Sequence, residues 1–143
     1  MFGQPGLAYV YFTYGMHWCL NVVCGAEGVA SAVLLRAGSI VDGLELARSR
    51  RNGSTDRDLA RGPARLTQAL ALTGADNGTD LLAEDSAVRL RPADPGPDHG
   101  SAEVRRGPRV GVVGEAQRDW RFWLAGEPSV STYRAAVVRR RSS

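Results

Sequence analysis

Lysine is missing from this chain: all eighteen of its basic residues are arginine. No side-chain amine is therefore present to form a Schiff base with a carbonyl. Arginine still recognises phosphate through its planar, bidentate fork. Acid is scarce at the start, where residues 1 to 35 hold Glu27 and no lysine or arginine; every arginine lies from Arg36 onward. The two cysteines, Cys19 and Cys24, sit five apart on one apparent strand, so they point to opposite faces and cannot bridge. Both are expected to be reduced and structural. With His17 and His99 they make no spacing typical of a zinc site, which argues against metal chemistry.

Long apolar runs are absent as well. Without a stretch of about eighteen apolar residues a membrane-spanning helix is not supported. The first residues lack the basic-then-apolar pattern of a secretory signal, so cytosol or nucleoid is the expected place. There is no Walker loop, no G-x-S-x-G elbow and no H-E-x-x-H. The "GVVG" at Gly111 to Gly114 lacks the third glycine of a dinucleotide fingerprint. Read as a GxxG loop of a KH domain, it lacks the neighbouring helix pattern. No cofactor is expected.

What the chain does hold is enough for one ordinary domain. Its 143 residues are 43% hydrophobic, sufficient to bury a core without disulfides or metal staples. The net charge of +3 and pI near 9.3 suit a polyanionic partner but decide little alone.

The clearest local pattern is "YVYFTYGMHWCLNVV", Tyr9 to Val23. Ala8 to Thr13 and His17 to Cys24 alternate with period two, the signature of paired strands. With Tyr14, Gly15 and Met16 as the loop, Thr13 pairs with His17 and Tyr9 falls opposite Asn21. One face then carries Ala8, Val10 and Phe12 against Trp18, Leu20 and Val22, a core face. The other carries Tyr9, Tyr11 and Thr13 against His17, Cys19 and Asn21, which reads as a pocket wall. Gly15 supplies the positive φ such a loop needs. A phenol and a thioether at the tip would waste apolar surface unless pushed into something.

Farther along, Ala32 to Leu35 reads as a third strand interrupted by Arg36. Asp42 is a candidate cap for a short helix carrying Leu44 and Leu46. Residues Asn52 to Arg61 read as polar loop. In "GPARLTQALAL", Pro63 suits a first helical turn, with Leu66, Ala69, Leu70 and Leu72 as apolar stripe and Gly74 as the stop. "AVRLRP", "RVGVV" and "WRFWLAG" are strand candidates, and "PADPGPDHGS" is a surface loop. Arg139 to Arg141 form a basic tail, giving expected boundaries of 1–138 for the domain and 139–143 for the tail. The expected fold is α+β, one domain of mostly antiparallel, partly open barrel-like sheet with two or three helices and a protruding hairpin.

"GLAYVYFTYGMHWCLNVV", then "VLLRA" ending in Arg36, then "GPARLTQALAL" and "PRVGV", in this order, resemble the alkyladenine (3-methyladenine) DNA glycosylases from Gly6 to about Ser131. That family hydrolyses the N-glycosidic bond of alkylated or deaminated purines in duplex DNA. Its members extrude the damaged nucleotide and fill the gap with a tyrosine on a hairpin tip. The resemblance implies that Tyr14 is that wedge, with Met16 and His17 beside it. Tyr11 would stack on the flipped base. Asn21 would stand beside it as a check against the exocyclic amino group of guanine. Arg36, with the main-chain carbonyl of Val110, would hold the attacking water, and Arg65 would lie near the DNA backbone. Without the resemblance, Arg36 reads as a structural arginine paired with a carboxylate, and Arg65 as part of a solvated helix face.

Activating the water is usually carboxylate work. In the family it falls to the glutamate of a T-E-A-Y string, followed by a histidine, and neither feature occurs in this sequence. Glu27, in the turn "GAEG", matches nothing catalytic. Either the natural protein starts further upstream or the chain has lost catalysis. The former is the expectation, since losing the first strands would leave an unpaired sheet edge. The enzyme is expected to be a monofunctional monomer acting on double-stranded DNA, without membrane association. Two rival readings remain: a non-catalytic damaged-DNA-binding domain, and a small-ligand-binding β-barrel holding a metabolite on its Tyr9, Tyr11, Asn21 face.

Overall fold

The computed structural model describes residues 1–92, 103–115 and 117–136. The loop from residue 93 onward and the basic tail at Arg139 to Arg141 lie outside the described residues, as does His99.

Strands β1 (Ala8–Thr13) and β2 (His17–Val23) form the hairpin, and β3 (Ala32–Leu34) adds to β2, all antiparallel. The register is the expected one, with Thr13 opposite His17 and Tyr9 opposite Asn21. Ala8, Val10 and Leu20 are buried with Leu72 and Leu81, and Trp18 and Val22 pack against them. Phe12 lies on that face but outside the buried core. It is half exposed, with its ring against Trp18 at 4.8 Å between centroids. The outer edge of β1 is covered by a later segment: Ala8 N–H donates to Thr79 O, Gly78 N–H to Ala8 O, and Val10 N–H to Asn77 Oδ1. An edge that would otherwise invite another strand is thereby closed.

Helix α2 (Pro63–Leu70) packs on β2, and helix α1 (Leu44–Arg50) packs on α2. Pro63 does open α2, where its missing N–H loses nothing. Four local expectations change. Asp42 is not the cap of α1: Gly43 is, at φ 68°, because the Asp42 carboxylate is already taken by the Gly43 N–H at 2.7 Å. The polar stretch Asn52 to Arg61 contains a turn of 3₁₀ helix (Asp56–Asp58) followed by Leu59 and Ala60, which are buried among Ala47, Leu66 and Ala69. Leu70 is exposed, and Thr67 is buried in the helix face instead. The helix ends at Ala71 with φ 55°, where Leu72 N–H returns to Thr67 O and brings Leu72 into the core in place of Leu70. Gly74 is therefore not the stop. Its hydrogen faces the Trp18 ring, where a Cβ would lie 2.6 Å from Cη2.

The last strands are also displaced. "AVRLRP" is no strand; its Leu90 N–H bonds to Leu81 O. "RVGVV" is a turn with Gly111 at φ 69°. Pairing falls instead on β4 (Val104–Gly107), which stops before Pro108, and β5 (Arg121–Leu124) inside "WRFWLAG". This second sheet is tied back by Ser39 Oγ donating to Glu127 Oε1 at 2.6 Å. The result is a single small α+β domain with two α-helices and two open antiparallel sheets. Among the described residues no barrel closes.

Candidate nucleic-acid interface and base pocket

The hairpin tip is a tight turn in which Met16 N–H donates to Thr13 O at 3.0 Å. Gly15 has φ 65° and Tyr14 has φ 51°, the sign pattern of a type I′ turn, whose central residues are normally Asn, Asp or Gly. A left-handed tyrosine costs about 1–2 kcal/mol relative to an unstrained residue. That penalty holds a side chain that is 90% exposed and touches no core. Met16, His17 and Phe12 are exposed beside it, so the tip is an apolar and aromatic prong. Only Gly15's positive φ was legible in the sequence; nothing in a tyrosine announces its own.

Behind the tip, the second hairpin face is assembled as the alternation predicts. Tyr9 and Tyr11 stack at 5.4 Å with 22° between planes. Asn21 is buried on the same face, and its Nδ2 donates to Tyr9 O at 3.1 Å. Among the described residues Oδ1 has no protein donor, which leaves it as an acceptor for something else. Cys19, opposite Tyr11, is a buried free thiol. Cys24 lies one residue past β2 as a second free thiol, 3.1 Å from Ser31 Oγ.

Arg36 follows the third strand and is partly buried. Burial and then the Arg121 cation pull its pKa down, whereas Cys19 and Tyr11 pull it up. Those influences put the guanidinium within electrostatic range of the Tyr11–Cys19 pair. Among the described residues no carboxylate forms an ion pair with it, which removes the structural-arginine explanation. The Tyr11 phenol is pushed up by burial, then by the Cys19 thiol and by the phenols of Tyr9 and Tyr14, so it stays protonated at neutral pH. Tyr9, Tyr11, Cys19 and Asn21 thus form one wall, with Arg36, from a third stretch, within electrostatic range of it. Arg121, from β5, lies within electrostatic range of Arg36, and no sequence pattern pointed to it.

Two predicted residues stand apart. Val110 lies in the turn after Arg109, held by Gly111 N–H donating to Arg134 O, and no hydrogen bond among the described residues joins it to Arg36. Arg65 projects from the first turn of α2, 3.7 Å from Asp58. Among the described residues no group of three His, Cys, Asp or Glu side chains could hold a metal, and no helix is long and apolar enough to cross a membrane.

Residues 1–128 match the sequence profile of methylpurine-DNA glycosylase. The chain belongs to that family. Three of its similar relatives are provisionally named 3-methyladenine DNA glycosylase. The one from Streptomyces avermitilis is 54% identical over 144 residues, which is 99% of this chain and 66% of the relative. The one from Nocardia farcinica is 53% identical, covering 97% of this chain and 68% of the relative. The one from Mycobacterium tuberculosis is 54% identical, covering 94% and 64%. This methylpurine-DNA glycosylase homologue therefore spans about two thirds of the length of the curated relatives it matches.

Proposed function

We propose that the protein is a monofunctional DNA-3-methyladenine glycosylase of base-excision repair, hydrolysing the N-glycosidic bond of alkylated or deaminated purines in duplex DNA. The observation that carries this reading is the pairing of an exposed, left-handed Tyr14 with a wall of Tyr9, Tyr11 and Asn21 on the same hairpin. Extruding a nucleotide costs a few kcal/mol of unstacking, and a prong that fills the gap recovers part of it. Tyr11 offers its ring to the extruded base, a contact worth about 1–3 kcal/mol. Asn21 keeps one acceptor for the base edge and would disfavour a base that crowds it. Arg36 keeps its donors free of carboxylates and holds the attacking water, with Val110 O as the second holder. Met16 and His17 flank the wedge, and Arg65 meets the backbone.

Proton abstraction from that water is assigned to a glutamate in a T-E-A-Y segment that this sequence does not contain. The absence of lysine supports hydrolysis over a covalent imine route. The protein acts as a monomer in the cytoplasm at the nucleoid, with residues 1–138 as the glycosylase domain and 139–143 as a basic tail. Release of hypoxanthine or 3-methyladenine from a duplex by the native protein tests the reading. Lesion binding without base release would favour the non-catalytic alternative.

A further inference from the structure

Asp58 gathers more positive charge than it can neutralise. Its Oδ1 lies 3.3 Å from Arg61 Nη1, 3.7 Å from Arg65 Nη1 and 3.7 Å from Arg57 Nε. Three guanidiniums share one carboxylate oxygen, a local surplus of two positive charges. The surrounding groups do not relieve it. Asp56 is occupied by Arg48 through both oxygens, and Arg48 also pairs with Glu45. Arg50 donates to Ala69 O, and Arg51 to Leu59 O and Gln68 Oε1, none of which carries charge. Like charges this close repel, and Asp58 offsets only part of the repulsion.

The position of the cluster is as informative as its charge. Arg65 lies in the first turn of α2, whose N-cap Gly62 supplies no capping side chain. Arg61 forms an antiparallel bridge with Ala37, the residue after Arg36, so the cluster is one residue removed from the base-facing wall. Arg57 and Arg65 have side chains 59% and 46% exposed, whereas Arg61 is more covered and its Nε is buried with no partner among the described residues. Each arginine thus turns one nitrogen toward Asp58. A guanidinium fork held on one side by a carboxylate is oriented to offer its remaining N–H groups to a second anion. Burial, which would raise the Asp58 pKa, is overcome by the Arg61 hydrogen bond and the charges of Arg57, Arg61 and Arg65, so the carboxylate stays ionised.

We infer that Arg57, Arg61 and Arg65, gathered by Asp58, form a clamp for backbone phosphates of the duplex beside the extruded nucleotide. The inference rests on the duplex-DNA reading above and adds to Arg65 two further arginines and the positioning carboxylate that orients all three. The clamp reads no sequence, because a phosphate is the same at every step.

The test is the salt dependence of duplex binding by the 143-residue chain, with undamaged and lesion-bearing duplexes. Arg57→Gln and Arg65→Gln should each flatten the slope of log affinity against log salt by about 0.9, equally for both duplexes. Arg48→Gln, whose arginine is engaged with Glu45 and Asp56, should leave the slope unchanged. Asp58→Asn separates orientation from net charge: removing a negative charge would tighten binding if charge alone mattered, and the clamp requires weaker binding. If Arg61→Gln fails to fold by circular dichroism, the two exposed arginines decide. Native slopes in Arg57→Gln and Arg65→Gln, or tighter binding by Asp58→Asn, overturn the clamp while duplex binding stands. No duplex binding by the unmodified chain overturns both it and the DNA reading.

Discussion

The hydroxyl of Thr67, in the buried face of α2, donates to the main-chain carbonyl of Trp18 at 3.0 Å. This bond joins the helix that carries Arg65 to the strand that carries His17 and leads from the tip. It fixes the hairpin against the body of the domain at the residue next to its exposed end. The same hydroxyl is within reach of Pro63 O and Ala64 O, so it has local acceptors whenever the hairpin contact opens.

Thr67→Val keeps the shape and removes the donor. It should lower stability by about 1–3 kcal/mol, the usual consequence of leaving a buried polar partner unpaired. Thr67→Ser should retain most of it. Urea unfolding of the two variants side by side checks the claim, and equal losses would show that the methyl group matters and the hydrogen bond does not.

Gly74→Ala would drive a Cβ to 2.6 Å from the Trp18 ring. Since Trp18 is also in contact with Phe12, it has little room to retreat. A loss of about 1–3 kcal/mol is expected from such overpacking. Tryptophan fluorescence should shift in the same variant, because the ring that must move is half-buried.

Tyr14→Gly separates stability from function. Glycine adopts φ near 51° without a Cβ penalty, so the variant should be more stable by about 1 kcal/mol. Its binding to lesion-bearing duplex should fall, since nothing is left to fill the gap. Thermal unfolding and duplex titration together provide the check; a variant that binds as tightly as the original protein would refute the wedge.

Glu127 makes the second sheet's attachment sensitive to acid. The hydrogen bond from Ser39, then the Ser129 backbone N–H, hold its carboxyl below the ordinary value of 4.5. A lowered folded-state pKa means the unfolded chain takes up the proton first as pH falls. The stabilisation is complete above about pH 4.5, the ordinary value, and disappears as pH drops through the lowered one. Glu127→Gln should remove this part of the acid dependence, measurable as the difference in melting temperature between pH 7 and pH 3.

Much of the candidate site could be read before the fold. Period-two alternation is a local property, so the register of the hairpin, its two faces and the grouping of Tyr9, Tyr11 and Asn21 follow from fifteen consecutive residues. Pro63 marked the start of α2 for an equally local reason. Leu59 and Ala60 were hidden because a polar neighbourhood says nothing of which two residues are pulled inward. Val104–Gly107 was hidden because "VRRG" has no apolar alternation and becomes a strand only by pairing with β5.

The chain by itself therefore determined the hairpin, its two chemically distinct faces and an all-arginine basic content, since these depend on neighbours a few residues away or on composition alone. The tertiary structure decided that Tyr14 is left-handed, that Arg36 comes within electrostatic range of Tyr11, Cys19 and Arg121, and that Asp58 draws three arginines together at the start of α2. Side chains from different segments acquire a shared environment only when burial of distant apolar residues fixes where the backbone runs. Charge at such a place is a property of the packing and is not written at any one position.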